Sequence, residues 1–355
     1  MKKIVIVAGD TSGDLYGALL SKKIKEKINN VEIFSFGGPE LAKNSKQILN
    51  LLKTSVCGIF EIFSSLKELI NNLKKTIDKI KKIKPDLIIL IDFPDFNLRL
   101  AKKLNNKFKI FYFVSPQVWA WRKNRINILK KYVEKIIVIF KFEKDFYKKE
   151  GLDVLYFGHP LLEIISKKNI EQKNIISFMP GSRKNEVKLH LPIIKKIKTI
   201  LEKELKDYKF RIIRPKNLEE KLYNDINIDI IEHNYEAIEE SKFIIASSGT
   251  ATVELAILEV PFLIIYKLNP LTFLILKNIV KTKFIGMVNI LANKKIIKEY
   301  IQKMDPQIIA KDIIDILKNK EKYQEIKNQL KNIKEILQPL GATEKFSDFI
   351  KEYLS

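Results

Sequence analysis

Short, continuously apolar segments alternate with longer segments of helical periodicity along the first half of the chain. Strands alternating with helices are typical of βαβ units, whose strands are parallel. Segments that are apolar at every position favour a sheet covered by helices on both faces. The predicted strands are 4–8, 32–36, 87–91, 109–114, 136–140 and 154–157, and predicted helices include 15–29, 62–83 and 97–106.

The same alternation starts again in the second half. The predicted strands there are 175–179, 210–214, 228–231, 243–246 and 262–266, with helices near 186–205, 218–224, 235–240 and 251–258. A chain of 355 residues suits two domains of ordinary size. We therefore predict an α/β fold of two Rossmann-like lobes facing a cleft, at 1–165 and 166–305. A Lys/Glu-rich helical segment, 306–355, is expected to pack back on the first domain or on a partner chain. The sequence leaves both a monomer and a homodimer as alternatives.

The chain carries a formal net charge of +23, which attracts phosphates, nucleic acids or anionic membranes. An excess of lysine from AT-rich codon usage is an equally good explanation, because only six of the 65 basic residues are arginines. The basic residues are spread over every predicted helix and no nucleic-acid-binding motif occurs. We therefore expect no nucleic-acid partner.

The single cysteine, Cys57, excludes an internal disulfide and any multi-cysteine metal cluster, which fits a reducing compartment. The first apolar segment turns polar after five residues, as a strand does and a signal peptide does not. No apolar segment approaches the roughly eighteen residues of a membrane span. The expected location is cytoplasmic.

Ligands of doubly wound folds bind at the carboxyl ends of the strands, so the loops after the strands are the candidate sites. After strand 243–246, the loop with Ser248, Gly249, Thr250 and Thr252 leads into a helix. Its backbone N–H groups, hydroxyls and positive helix end suit a pyrophosphate, and Glu254 one turn later could accept both hydroxyls of a ribose. An ordinary capped helix with a surface glutamate is the alternative.

Strand 175–179 runs into a second glycine turn, PGSRKNE, which contains Ser182 and Arg183. An arginine at this place can hold phosphate oxygens through two parallel hydrogen bonds. A capped helix with a surface arginine is again the alternative.

Two loops of the first half carry acidic and hydroxyl groups. Ser12, Gly13 and Asp14 follow the first strand, without the glycine spacing or the lysine of a phosphate loop, and suit the hydroxyls of an acceptor better.

Strand 87–91 leads into DFPDFN, where Asp92, Asp95 and Asn97 surround a proline-fixed turn that could hold a general base rigidly. The alternative is that Asp95 caps a helix starting near Asn97 and Asp92 pairs with a neighbouring cation.

The segment SPQVWAWRKNR contains both tryptophans of the protein beside two arginines. The surfaces of Trp119 and Arg122 fit a sugar face, a phosphate or a membrane interface.

An amphipathic segment, 56–73, places Ile59, Phe60, Phe63 and Leu66 near one helical face with lysines beside it. Core packing explains such a face, and contact with a membrane surface is the alternative.

Several of these segments together resemble lipid-A-disaccharide synthases across nearly the whole chain. They are DFPDFNLRLA, FVSPQVWAWR, FKFEKDFYKKEGL, FGHPLLE, MPGSRKNEV and ASSGTATVELA. The resemblance implies a GT-B type glycosyltransferase that moves a diacylated glucosamine from UDP to diacylglucosamine 1-phosphate. The implied product has a β-1,6 link, and UDP is released.

The resemblance also implies roles for individual residues. Asp95 matches the essential acidic position, Arg183 a basic position toward the nucleotide, and Asn289 an asparagine, although Met287 and Val288 replace the usual Leu-Pro before it. Ser182, Ser248, Gly249, Thr250, Thr252 and Glu254 fall on the nucleotide side. Ser12, Gly13, Asp14, Asp92, Asn97, Trp119 and Arg122 fall on the acceptor side. Asp10 and Glu163 depart from the usual residues.

Inversion at the donor carbon needs one base, for which Asp95 is predicted and Asp92 stays open. The sequence shows no cluster of metal ligands, so we expect no metal and no cofactor. Expected partners are the two lipid-bearing substrates and the inner face of a membrane. Another UDP-GlcNAc-using transferase or epimerase of the same fold is the alternative function.

Overall fold

The structure is a computed structural model that describes residues 1–52, 62–104, 107–224, 226–280 and 282–355. Within its helices, the side chains of 62–66, 271, 275, 276 and 278 are not described. The chain forms two compact units. The first contains Met1–Glu163 and Leu337–Ser355, and the second contains Ile164–Ile336.

In the described ranges, the first unit is built on a parallel sheet of seven strands in the order β3-β2-β1-β4-β5-β6-β7. The central strands β1 and β4 are buried because helices cover both faces, in agreement with their apolar sequences. The strands are β1 Lys2–Ala8, β2 Val31–Phe36, β3 Lys46–Leu49, β4 Leu87–Ile91, β5 Ile110–Phe113, β6 Lys135–Val138 and β7 Leu155–Tyr156. The helices are α1 Thr11–Lys27, α2 Pro39–Ala42, α3 Ile62–Ile83, α4 Pro94–Leu104, α5 Ile126–Tyr132, α6 Lys141–Lys149 and α7 Leu161–Ile164.

The second unit repeats this plan with six strands in the order β10-β9-β8-β11-β12-β13 in the described part of the chain. The strands are β8 Lys173–Met179, β9 Lys209–Arg214, β10 Asp229–Glu232, β11 Ser241–Ser247, β12 Phe262–Tyr266 and β13 Glu299–Ile301. The helices are α8 Lys184–Glu204, α9 Tyr235–Glu240, α10 Thr250–Ile257, α11 Pro270–Ile279, α12 Met287–Ala292, α13 Pro306–Lys318 and α14 Lys320–Ile336. The last helix of the chain, α15 Ala342–Leu354, belongs to the first unit.

The prediction of two Rossmann-like lobes is confirmed, and each predicted strand has its counterpart. Two edge strands, β3 and β13, escape the sequence pattern because they are short and partly exposed, and therefore carry no apolar run. The segment predicted as a helix at 218–224 is a short 3-10 helix, Glu220–Tyr223.

The structure divides the predicted C-terminal segment 306–355 between the two units. Helix α13 packs on the second unit, where Ile309 and Ile313 join its core. Helix α15 packs on the first unit, where the ring of Phe346 lies 5.1 Å from that of Phe113. The amphipathic periodicity of both helices is alike, so the sequence pattern could not distinguish their partners.

Part of the predicted membrane-contact segment is described. Ile59 and Phe60 lie outside the described residues, as do the side chains of Phe63 and Leu66. Further along α3, Leu69 packs against the core of the first unit while Ile70 is 54% exposed. None of the described helices is long and apolar enough to cross a bilayer.

Candidate active site

The loop after β4 is held in an unusual backbone conformation. Asp92 and Phe93 both have positive φ, 43° and 47°, a left-handed region that costs a non-glycine residue on the order of 1 kcal/mol or more. Hydrogen bonds hold the loop there: Asn97 Nδ2 donates to the carbonyl of Asp92 at 2.8 Å, and the Tyr112 hydroxyl donates to the same oxygen at 2.6 Å. The predicted acceptor-side residue Asn97 thus supports the loop from a fully buried position.

Asp95 lies in the first turn of α4, directly after this loop, and its side chain is 54% exposed. Its Oδ1 atom accepts a hydrogen bond from Arg122 Nη1 at 2.8 Å and another from Arg125 Nη2. The helix already begins at Pro94, so Asp95 does not cap a helix near Asn97. The carboxylate is therefore held by two arginines at the carboxyl edge of the sheet.

The two tryptophans have different surroundings. The guanidinium carbons of Arg122 and Arg125 lie 4.3 and 5.4 Å from the ring centre of Trp121, in cation–π contact. The indole of Trp119 instead donates to Glu143 at 3.0 Å, and burial raises the pKa of that carboxyl to about 7. We call Asp95, Arg122, Arg125 and Trp121 the Asp95 cluster. The structure places Trp121, rather than the predicted Trp119, in it.

The loop after β1 serves mainly to join segments of the fold. Asp10 caps α1 by accepting from the backbone of Gly13 at 2.7 Å, and Ser12 is partly exposed in the first turn. The buried carboxylate of Asp14 accepts from three backbone N–H groups, of Gly38, Glu40 and Leu41. Burial, the largest effect, raises the pKa of Asp14 although these bonds lower it. The predicted acceptor-side residue Asp14 ties the loop to the chain after β2.

In the second unit, the loop after β8 turns at Gly181, whose φ is +132°. The backbone of Ser182 donates to Glu186 at 3.2 Å, while the guanidinium of Arg183, 69% exposed, lies 3.5 Å from the same carboxylate. The buried ring of His190 bonds the carbonyl of Pro180 through Nδ1 at 2.6 Å, and its Nε2 accepts from the backbone N–H of Lys267 at 2.9 Å. His190 thus joins the loops after β8 and β12.

The loop after β11 lies beside an open space. Gly249 has φ +146°, and a Cβ atom there would meet nothing within 4 Å, so the space beside it is open. Ser248 donates to the carbonyl of Ile285 at 2.9 Å, and the buried Thr252 donates to the carbonyl of Gly249 at 2.8 Å. Thr250 begins α10, whose amino end therefore lies beside the open space. This arrangement is suited to phosphate oxygens.

Glu254 lies one turn into α10 and pairs with His233, whose Nε2 atom is 2.9 Å from a carboxylate oxygen. Burial, the largest single effect, lowers the pKa of His233, but the hydrogen bond and the charge of Glu254 together raise it above its usual value. His233 follows β10 directly, so it contacts the predicted ribose-binding carboxylate of α10 from the end of a strand that β9 and β8 separate from β11.

Asn289 is fully buried, and its amide is used within the protein. Its Nδ2 donates to Ile297 and Glu299 at 2.8 and 2.7 Å, and its Oδ1 accepts from the backbone of Ile296 and Ile297. Glu299 also accepts from the backbone of Gly286 at 2.9 Å. Asn289 therefore supports the start of α12 through its side chain.

Sequence reasoning missed four residues that the structure brings to these sites: Arg125, Trp121, His190 and His233. Trp121 is next to Arg122 and Arg125 follows three residues later, so all three lie on one short turn. This spacing could have placed Trp121 and Arg125 beside Arg122. His190 and His233 are isolated in sequence and carry no such signal. Among the described residues, no group of three or more His, Cys, Asp and Glu is arranged to hold a metal ion.

Comparison with known proteins identifies the family. The model of the lipid-A-disaccharide synthetase family matches residues 4–347. The chain belongs to this family. Among curated relatives, the lipid-A-disaccharide synthase of Persephonella marina is 34% identical, covering 99% of both chains. That of Syntrophus aciditrophicus is 32% identical, covering 97% of this chain and 96% of the relative.

Solved structures resemble the chain in fold. The UDP-GlcNAc 2-epimerase of Neisseria meningitidis, bound to UDP-GlcNAc, superposes with a TM-score of 0.65 and covers 99% of both chains at 14% identity. At this identity the likeness shows the two-domain GT-B fold alone. The epimerase alternative drawn from the sequence is therefore not favoured, because the family match points to the synthase.

Proposed function

We propose that this lipid-A-disaccharide synthase family member transfers 2,3-diacylglucosamine from its UDP derivative to diacylglucosamine 1-phosphate with inversion. The observation that carries the proposal is the family match over residues 4–347. The Asp95 cluster, at the strand ends of the first unit, supports it because an acceptor hydroxyl needs a carboxylate within reach.

In this mechanism Asp95 removes the proton from the 6-hydroxyl of the acceptor. The hydroxyl oxygen forms the new bond to the donor anomeric carbon while the bond from that carbon to the UDP oxygen breaks. A weak base suffices, because the transition state of glycosyl transfer has oxocarbenium character and loses the proton late. The strained Asp92 supplies a rigid loop before the base, and stays the second candidate for the base itself.

The departing diphosphate takes up negative charge, which the second unit can stabilise. Arg183 is exposed and long enough to follow the phosphate oxygens, and the amino end of α10 beside Gly249 offers backbone donors. We assign Glu254, oriented by His233, to the ribose hydroxyls, and Ser182, Ser248 and Thr250 to the walls of the nucleotide site. Thr252 and Asn289 support these walls from buried positions.

We also propose peripheral association with the inner membrane surface, since both substrates carry acyl chains. The amphipathic segment 56–73 and the net charge of +23 support it. Replacing Phe60, Phe63 and Leu66 by serine should then abolish co-sedimentation with anionic vesicles and preserve the melting temperature. A collapsed melt would instead assign the segment to the core. Sedimentation velocity on the same samples measures whether a second copy of the chain is a partner.

The decisive assay measures UDP release from UDP-diacylglucosamine with and without diacylglucosamine 1-phosphate, and identifies the disaccharide by mass. We expect release only when both lipids are present. Turnover of UDP-GlcNAc without acyl chains, or release without the acceptor, would favour another UDP-sugar enzyme of the same fold.

A further inference from the structure

We propose that Arg122 and Arg125 bind the phosphate of the acceptor sugar, and that this binding releases Asp95 to act as the base. The inference rests on the proposed function, because it assigns one group of the proposed acceptor to one part of the same site. In the structure the two arginines hold Asp95, and with acceptor bound they would hold a phosphomonoester instead.

The hydrogen bonding of the cluster motivates this exchange. Both arginines donate to the same carboxylate oxygen, Oδ1 of Asp95. The lone pairs of that oxygen are thus already engaged by two N–H donors, which is a poor arrangement for receiving a proton. The other oxygen, Oδ2, can accept a proton, but the two bonds to Oδ1 fix the direction in which the carboxylate points. Exchanging these bonds for bonds to a phosphate would let the carboxylate turn toward the sugar hydroxyl.

The arginines have donors to spare for a larger anion. Each guanidinium carries five N–H groups in a planar fork, of which the described bonds to Asp95 use one each. A phosphomonoester offers three oxygens and close to two negative charges, against two oxygens and one charge for a carboxylate. Two adjacent guanidinium groups therefore favour a phosphate over the single carboxylate they hold.

The cluster is arranged to retain the arginines when Asp95 departs. Trp121 lies against both guanidinium groups, at 4.3 and 5.4 Å from its ring centre, and stays in contact whichever anion they bind. The side chain of Arg125 is only 10% exposed, so it forms a fixed wall, while Arg122 is 45% exposed. Burial, the largest effect, lowers the pKa of Arg125, which fits a cation that requires an anionic partner.

The backbone adds a second sign that the position of Arg122 matters. Its φ is +53°, in the left-handed region, and Val114 at the end of β5 has φ +59°. Together with Asp92 and Phe93, four non-glycine residues of the two loops around the cluster adopt this costly conformation. Such strain persists where surrounding contacts impose it, and it concentrates at ligand sites.

The acceptor sugar is small enough for one cluster to contact both its 1-phosphate and its 6-hydroxyl. In a hexose 1-phosphate, carbons 1 and 5 flank the ring oxygen, and the 6-hydroxyl is one carbon beyond carbon 5. One sugar ring can therefore place its phosphate on the arginines and its reacting hydroxyl on the neighbouring Asp95. Phosphate binding would then position the hydroxyl and free the base in one step, which makes the phosphate a requirement for turnover.

The test compares two acceptors that differ only at carbon 1: diacylglucosamine 1-phosphate and the neutral α-methyl glycoside of the same diacylglucosamine. In the wild type we expect kcat/KM to be at least about 100-fold higher for the phosphate. Arg122→Gln and Arg125→Gln should each reduce this preference by about tenfold or more, mainly by slowing reaction of the phosphate. Lys103→Gln, which removes an exposed cation about two turns beyond Asp95 in α4, is the control and should keep it.

A preference that stays within about twofold of the wild type in Arg122→Gln would overturn the inference, as would a loss confined to the KM of the UDP-sugar. Because Arg122 is exposed, its variant remains informative even if the buried Arg125 variant fails to fold, which a melting curve reveals. Failure of the proposed function looks different: the wild type would then form no disaccharide from the phosphorylated acceptor.

Discussion

The two units share one fold, but the loops that follow their strands differ in which residues adopt positive φ. In the first unit, the loops after β4 and β5 contain non-glycine residues with positive φ, and charged side chains bind one another. In the second unit, the residues with positive φ in the loops after β8 and β11 are glycines, Gly181 and Gly249. Arg183 there is 69% exposed, although its guanidinium also lies 3.5 Å from Glu186.

The difference fits the roles proposed for the two sites. If Asp95 is the base, as proposed, it has to be held in place until the acceptor binds, which fits the strained backbone and the paired charges around it. The nucleotide proposed to bind the second unit can be held by many dispersed contacts with backbone N–H groups, which fits the glycines there, since glycine adopts positive φ at little cost. We therefore expect one substitution in the first site to abolish most of the turnover, and one substitution in the second site to weaken UDP binding only in part.

The largest effect is expected from Asp95→Asn, which keeps the shape and a hydrogen-bond acceptor for the arginines but removes the base. Turnover should fall by about two orders of magnitude or more, while the melting temperature and UDP affinity stay near those of the wild type. Steady-state kinetics, a melting curve and calorimetry with UDP measure the three quantities.

Asp92→Asn is the companion variant, because Asp92 is the second candidate for the base. If Asp95→Asn retains activity within a few-fold while Asp92→Asn loses it, the roles of the two residues are exchanged. The base held in place in the first unit would then be Asp92, the residue with the strained backbone.

Smaller effects are expected in the second unit. Arg183→Ala loses a charge-assisted contact and Glu254→Ala a ribose acceptor, so each should weaken UDP binding by about tenfold in calorimetry. Lys188→Ala, an exposed residue of α8, is the control and should bind UDP normally. Unchanged affinity in both test variants would mean that the nucleotide binds elsewhere.

The smallest effect concerns the pH dependence of the His233 and Glu254 pair. Because the folded protein raises the pKa of His233 above 6.5, the pair contributes fully below that pH and is lost as pH rises through the raised value. The melting temperature of the wild type should exceed that of His233→Gln at acidic pH, by the equivalent of about 1 kcal/mol or less, and the gap should close as pH rises.

Glu254→Gln tests the same pair from its other side, since it removes the negative charge and keeps the histidine. With Glu254→Gln in place, the pH-dependent difference in melting temperature between His233 and Gln at position 233 should be smaller. A gap between wild type and His233→Gln that is constant over the pH range would show that the pair is not the source of the raised pKa.

Several features were predictable from particular residues. The apolar strand 87–91 and the segment DFPDFN predicted a strand end with Asp95, because a buried parallel strand needs apolar residues on both faces. The glycine turns at 181 and 249 were predictable because glycine shortly after an apolar strand marks a turn. The pairing of Glu254 with His233 was not predictable, since 21 residues separate them and the strands before them, β10 and β11, are not adjacent in the sheet.

The sequence by itself determined the repeated strand–helix pattern, the family, and which loops carry charge and glycine, because these properties depend on local periodicity and residue type. Only the tertiary structure decided which groups meet. It placed Trp121 rather than Trp119 beside Arg122, buried Asp14 and Asn289 in hydrogen bonds of the fold, and divided α13 and α15 between two units. Such choices depend on side-chain direction and on long-range packing, and neighbouring residues with similar chemistry give no local signal of them.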